Sequence, residues 1–327
     1  MQTLEDTGEF GFIERLAQFL PTASFLLEGV GDDCAVVRCS DRLLLVSSDM
    51  FLENVHFRRS YFSPEDIGWK AAVRALSDIA AMGGAPLFCV TSVACPSSTR
   101  VRFLEDLYRG MVDALNRFGA VIVGGDTAHS PDALFVDLAM VGEAVGGRCL
   151  RRKGALPGDL LCVTGPLGTA AAGLHALENG REAPPEVLRA HLHPVPRIQC
   201  GQWLCACSDV HAMLDISDGL FQDAGHLGEP AGLGVDLFSR HIPFQESFVA
   251  YCEKEALSPL ELALTGGEDY ELACAVAANV SEEVCRAFRQ TFQKDLYVVG
   301  RFVEDWEGVR IDSKPVTFTG YQHFVNR

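Results

Sequence analysis

Positive charge is scarce in this chain. Its 27 Lys and Arg residues face 44 Asp and Glu, a formal net charge of −17. Such a surface repels nucleic acid and anionic membranes, so neither is expected as a partner, and an anionic small substrate would need metal ions or a local basic patch. Long apolar runs are missing as well: none approaches the ~18 residues of a membrane span. The opening "MQTLEDTGEF" has neither the basic start nor the apolar stretch of a secretory leader, and a cytoplasmic protein is expected.

The common nucleotide signatures are absent too. There is no G-x-x-x-x-G-K-[ST] loop, no G-x-G-x-x-G opening a helix, and neither H-R-D nor D-F-G. No G-x-S-x-G marks a hydrolase nucleophile. The 12 cysteines include no C-x-x-C pair. They sit in apolar stretches such as "PLFCV" and "LACAV", which reads as reduced core residues. The densest group, Cys200, Cys205 and Cys207 followed by His211, lacks zinc-site spacing and is read the same way. Neither a solenoid repeat nor a low-complexity tract is present.

What is present is 327 residues, 48% of them hydrophobic, enough for two domains with buried cores. Residues 8–20 read as a helix with Phe12, Ile13, Leu16 and Phe19 on one stripe. "DCAVVRC" and "RLLLVSSDM" read as a hairpin around Ser40-Asp41. A helix follows, with Ser63 as cap, Pro64 at its first position and Asp66 three residues after the cap, ending at Gly83-Gly84. Strands and helices then alternate with hairpins, which predicts a mixed sheet. The character changes near Gly146-Gly147, so the domains are expected to be 1–147 and 148–327.

Acidic residues recur at element ends beside Gly, Ser or Thr. Asp32 and Asp33 follow "GVG"; Ser47, Ser48 and Asp49 end a strand; Asp78 lies in "ALSDIAAMGG"; Asp126 follows "VIVGG". Asp215 and Asp218 bracket "DISDG", and Glu268-Asp269 follow "LTGG". Singly, each has an ordinary reading as a turn residue or cap; Asp78 could close a salt-bridge ladder with Lys70 and Arg74 on one helix face. Asp33, Asp49, Asp78 and Asp126, all in one half and each beside glycine or a hydroxyl residue, together suit Mg²⁺, which takes hard oxygen ligands and is completed by substrate phosphates. Neighbouring carboxylates such as Asp32 and Asp33 repel unless a cation sits close by, and a metal-nucleotide site supplies one.

Eight segments, in order, resemble the thiamine-monophosphate kinase family: "GVGDDCAVV", "SSDMFLENVHF", "RALSDIAAMGG", "VGGDTAHS", "LRRKGALPGDLLCVTGPLG", "DISDGLFQDAGH", "LTGGEDYEL" and "GYQHF". The resemblance extends from about residue 8 to residue 325, and the family lies in the superfamily of aminoimidazole ribonucleotide synthetase and selenophosphate synthetase. The resemblance implies a two-domain PurM-like fold of the α/β and α+β classes. A mixed-sheet N-terminal domain would bind ATP and Mg²⁺ and dimerise, and an α+β C-terminal domain would follow it. It further implies direct in-line transfer of a phosphoryl group from ATP to thiamine monophosphate in a homodimer, with several Mg²⁺ ions.

Carried over by motif, the metal ligands fall on Asp33, Ser48, Asp49, Asp78, Asp126, Asp215 and Asp218, with Ser47 adjacent. ATP contacts fall on Tyr108, Gly125, Asp126, Arg152 and Ser217, and Asp126 and Arg152 would stabilise charge. The thiamine phosphate falls near His56, Glu268 and Tyr321, with Phe324 a further stacking candidate. Ser48 stands where the family commonly has threonine, and both offer a hydroxyl. Selenophosphate synthetase would show a reactive Cys in a glycine-rich N-terminal segment, and the first cysteine here is Cys34, within a strand. The ribonucleotide synthetase would carry glutamate in place of Asp126. A catalytically silent Mg-nucleotide binder is the remaining alternative.

Overall fold

The structure is a computed structural model that describes residues 3–318, 320, 321 and 323. Along the chain run α1 (Leu4–Ala17), β1 (Leu26–Glu28), β2 (Ala35–Cys39), β3 (Arg42–Leu52), α2 (Pro64–Ala81), β4 (Gly84–Cys95), α3 (Val101–Arg117), β5 (Val121–His129) and β6 (Phe135–Ala144). The second sheet and its helices follow as β7 (Leu160–Val163), α4 (Thr169–Glu178), α5 (Pro185–Leu192), α6 (Ile198–Ala206), β8 (Val210–Asp215) and α7 (Leu220–Gly228). The last stretch holds β9 (Gly234–Leu237), α8 (Glu246–Glu255), α9 (Pro259–Thr265), β10 (Leu272–Val276), α10 (Ser281–Phe292), β11 (Tyr297–Val303), β12 (Val309–Ile311) and β13 (Lys314–Pro315).

The first sheet has the order β1-β2-β3-β6-β4-β5, and the second β13-β12-β9-β11-β7-β10-β8. Both are mixed: β4 and β5 pair in parallel in the first, β9 and β12 in the second, and the other neighbours are antiparallel. The hairpin at Ser40-Asp41 forms as the alternation predicts, with Cys39 opposite Arg42.

Helix α2 is the element on which the site depends. Ser63 and Asp66 close a capping box, Ser63 Oγ accepting from Asp66 N at 3.1 Å and Asp66 Oδ2 from Ser63 N at 3.2 Å. Gly83, at φ +69°, ends the helix in the left-handed region, where a Cβ would lie 2.3 Å from that of Cys205. Between these signals Ile67, Val73, Leu76, Ile79 and several alanines are fully buried. The helix packs on β3, β4 and β6 of the first sheet and on β8 and α6 of the second unit. One core therefore runs through both units, from Val36 and Leu45 past Leu76 to Met213 and Leu272.

The N-terminal expectation needs correction. Helix α1 begins at Leu4, capped by Thr3 with Asp6, and contains a non-helical Gly8 at φ 70°; it ends at Ala17, ahead of Phe19. Phe12, Ile13, Leu16 and Phe19 are exposed rather than packed. Periodicity reports a shared face and cannot say what covers it.

Candidate active site

Asp33 enters from the turn between β1 and β2, Asp78 from the last turn of α2, and Asp215 from the end of β8. One oxygen from each lies within 4.8 Å of the others. Burial raises the pKa of all three. Asp78 goes well above the carboxylate range, with Asp49, Asp215 and Asp33 adding repulsion. Asp215 reaches about 7, pushed by burial and then by Asp33, with the Ser77 hydroxyl opposing. Three desolvated like charges cannot all ionise without a counter-charge. Asp33 Oδ2 and Ser47 Oγ are buried with no hydrogen-bond partner among the described residues. An all-oxygen donor set with unused lone pairs fits Mg²⁺.

The adjacent aspartates divide the work. Asp32 Oδ1 accepts from Asp33 N at 3.0 Å, and both its oxygens accept from Arg152 N at 3.2 Å. Asp33 Oδ1 takes the Arg152 guanidinium, Nε at 3.0 Å and Nη2 at 2.5 Å. Asp32 therefore fastens the turn to the second unit while Asp33 faces the cluster.

Strand alternation sorts the candidates on β3. Ser47 and Asp49 point inward; Asp49 Oδ1 accepts from Arg74 Nη2 on α2 at 3.1 Å. Ser48 points outward and donates to Asp137 Oδ1 on β6 at 2.9 Å. Asp126 shares that outer face, because β5 places it opposite Ser92, which in turn pairs with Asp137. It is exposed, and its Oδ1 accepts from Thr127 N at 2.9 Å. Two strands, β6 and β4, lie between it and β3, a separation of roughly 14 Å. Asp33, Asp49, Asp78 and Asp215 are thus brought together, while the side chains of Ser48 and Asp126 stand on the other face of the sheet within one protomer.

Tyr108 and Gly125 converge on Thr91. The Tyr108 hydroxyl lies 3.2 Å from Thr91 Oγ1, and a Cβ at Gly125 would come within 2.1 Å of the Thr91 carbonyl oxygen. Ser217 and Asp218 lie in the turn before α7, where Asp223 Oδ2 accepts from the amides of Ser217, Asp218 and Gly219, each at 3.1 Å. Burial and Glu9 lift Asp218 to about 6.

The substrate candidates also gather. His56 Nδ1 accepts from Leu52 N at 3.0 Å, which leaves Nε2 protonated in the neutral ring; burial and Arg74 push its pKa down to about 3. His56 packs edge-on to His323 at 5.2 Å, and His323 to Tyr321 at 5.0 Å. Tyr321 N donates to Asp218 O at 3.1 Å, so the tail is tied to the turn before α7. Phe324 lies outside the described residues. Glu268 is a left-handed residue, φ +68°, and its carboxylate meets Lys70 Nζ at 2.7 Å and Arg74 Nη1 at 3.8 Å. Burial would raise its pKa, but Lys70, His191 and Arg74 hold it at about 2.

Sequence reasoning missed Lys70 and Arg74 as site residues, along with His191, Asp223 and Tyr270. Lys70 and Arg74 turn toward Glu268 and Asp49 and form no ladder with Asp78. Two charges inside the otherwise apolar "WKAAVRAL" were the available signal, since a buried charge needs a partner.

Comparison with known proteins accords with this geometry. The model of the AIR synthase related protein family matches in two parts, the N-terminal domain over residues 31–144 and the C-terminal domain over residues 157–313. A thiamine-monophosphate kinase from Aquifex aeolicus is 35% identical over 325 residues, covering 98% of this chain and 99% of the relative. The chain belongs to the thiamine-monophosphate kinase family. The Escherichia coli K12 member is 33% identical, covering 97% of this chain and 98% of its own length. Among solved structures, AaThiL complexed with AMPPCP and TMP superposes with a TM-score of 0.87 at 32% identity, covering 99% of each chain. The hydrogenase maturation protein HypE of E. coli, 21% identical with a TM-score of 0.71, shares the fold alone.

Proposed function

We propose that this member of the thiamine-monophosphate kinase family transfers the γ-phosphoryl group of ATP to the phosphate of thiamine monophosphate, in one in-line step and with several Mg²⁺ ions. The observation that carries this reading is the convergence of Asp33, Asp78 and Asp215 within 4.8 Å, from three separate elements. Relatives bearing that name, and a neighbour solved with AMPPCP and TMP, support it.

The nucleophile would be a phosphate oxygen. A phosphate monoester has its second pKa at about 6 and is largely ionised at neutral pH, so no strong general base is required. The difficulty is bringing two polyanions together, and phosphoryl transfer is dominated by positioning and charge neutralisation. Asp33, Asp49, Asp78 and Asp215 would hold Mg²⁺, with Ser47 and Asp218 at the margin. The metal would supply charge neutralisation on the phosphate oxygens. Arg152 steadies Asp33 and adds a cation. On the substrate side His56 offers a neutral Nε2–H, Glu268 stays ionised to face the cationic thiazolium, and Tyr321 offers an aromatic face worth roughly 0.5–2 kcal/mol to a cation.

Residues 1–147 would form the nucleotide-binding and dimerising domain and residues 148–327 the second domain. The outer face of the first sheet supports pairing with a second copy: Met50, Phe88, Val90 and Val121 are exposed on it, and a contiguous apolar face of this kind marks an interface. Ser48 and Asp126 would then face that partner, with Tyr108, Gly125 and Ser217 on the nucleotide side.

The test is ADP release by the full chain with thiamine monophosphate, set against aminoimidazole precursors and selenide. Turnover with thiamine monophosphate alone is expected, and turnover with none of them would favour a silent nucleotide binder. With chiral γ-phosphate, inversion is expected; retention would require a phospho-enzyme.

A further inference from the structure

Two carboxylates at opposite ends of the site share one guanidinium. Arg74 Nη2 lies 3.1 Å from Asp49 Oδ1, on the side where Asp78 and Asp215 converge. Arg74 Nη1 lies 3.8 Å from Glu268 Oε1, on the side of His56. The other Glu268 oxygen, Oε2, meets Lys70 Nζ at 2.7 Å. The Lys70 side chain has no exposed surface, and its ammonium also reaches His191 Nδ1 at 3.3 Å. The Glu268 backbone is pinned as well, its N–H donating to Ser217 O at 2.8 Å. Glu268 thus has one cation per oxygen on a fixed main chain. Among the described residues Asp49 is held through one oxygen only.

An ion pair that served stability alone would be fully satisfied, or replaced by apolar packing. Arg74 is neither: its Nε is buried with no hydrogen-bond partner among the described residues. A planar fork suits two separate carboxylates in a way that a point-like ammonium cannot.

We propose that Arg74 is a positioning residue that couples the metal end of the site to the substrate end, holding Asp49 and Glu268 with separate guanidinium nitrogens so that loading either end orders the other. This rests on the proposed function for the identity of the substrate. The metal end is supported by the carboxylate cluster itself. Lys70, which touches Glu268 and makes no ion pair with Asp49, serves the substrate end alone.

The experiment is calorimetric titration of Mn²⁺ into the full chain, with and without thiamine monophosphate, for the wild type and for Arg74→Met, Arg74→Lys and Lys70→Met. Thermal melts would confirm that each variant is folded. In the wild type, thiamine monophosphate tightens Mn²⁺ binding. Arg74→Met weakens Mn²⁺ by about 10-fold, as loss of a partner that orients a metal ligand does. It also abolishes the effect of thiamine monophosphate on Mn²⁺, a coupling that must be reciprocal. Arg74→Lys, with one ammonium for two carboxylates, recovers Mn²⁺ affinity and leaves the coupling weak. Lys70→Met raises the KM for thiamine monophosphate and keeps wild-type Mn²⁺ affinity. The coupling is overturned if thiamine monophosphate leaves Mn²⁺ binding unchanged in the wild type. It is overturned equally if Arg74→Met binds Mn²⁺ as tightly as the parent, or if Lys70→Met weakens Mn²⁺ as much as Arg74→Met. Intact coupling in a chain that forms no thiamine diphosphate would overturn the assigned reaction and leave the role of Arg74 standing.

Discussion

Ser77 Oγ donates to Asp215 Oδ2 at 2.6 Å, so the central helix of the first unit holds the last residue of β8 in the second. Both residues are buried. Ser77→Ala leaves that carboxylate without its donor, at a cost of about 1–3 kcal/mol. Urea unfolding of the metal-free chain should show the loss, and Mn²⁺ binding at neutral pH should weaken because Asp215 holds its proton more firmly. Unchanged stability together with unchanged metal affinity would contradict this.

Asp78→Asn separates repulsion from ligation. The metal-free variant should melt at or above the temperature of the parent, because one of three crowded carboxylates is neutralised. Mg²⁺ should no longer raise its melting temperature, since stabilisation by a ligand requires binding to the folded state. Turnover should fall at least about 100-fold. A variant that Mg²⁺ still stabilises would remove Asp78 from the ligand set.

The acid cluster also sets a pH dependence. Asp32 and Asp215 are raised to about 7 and Asp218 to about 6, from an ordinary 3.8, so the folded chain keeps protons that the unfolded chain releases. Their contribution to stability is fully present below about pH 4 and is lost as pH rises through 6 to 7. Glu268, lowered from 4.5 to about 2, works in the opposite sense: its contribution is present above pH 4.5 and lost as pH falls toward 2. The metal-free chain should therefore lose stability between about pH 4 and 7 through these acids, and Mg²⁺ should offset the loss by displacing protons. Calorimetry in two buffers of different ionisation enthalpy should find protons released on binding, with affinity rising as pH rises because Asp78, raised furthest by burial, must also give up its proton. Binding without proton release would refute the assignment.

Val90→Glu places a charge on the outer face of β4, remote from the carboxylate cluster. Sedimentation should show a dimer in the parent and a monomer in the variant, with ATP-dependent turnover lost alongside. A fully active monomeric parent would rule out the proposed interface.

Much of this arrangement was legible beforehand, for physical reasons. The Ser63-Pro64-Asp66 start of α2 and the strand patterns of β3 and β6 are local signals, and the chain obeys them. Asp33 and Asp78 could be grouped with Asp49 and Asp126 because carboxylates beside glycine or a hydroxyl residue are costly without a cation, whereas Asp215 joined them through the family resemblance. The face on which each side chain emerges was not legible. Ser48 and Asp126 face away from α2 because of register, set by pairings with β6 and β4 that no short window contains. Lys70 and Arg74 were visible as charges, but their partners Glu268 and Asp49 are distant in sequence. The two-residue β13 is too short to show any period.

The most direct test of the central claim is phosphorus NMR of the purified full chain mixed with ATP, Mg²⁺ and thiamine monophosphate. Consumption of the monoester resonance with matched growth of ADP and thiamine diphosphate signals, abolished by chelating the metal, is the predicted outcome. Persistence of the monoester while ATP is untouched, or is hydrolysed to ADP and free phosphate, would contradict the account.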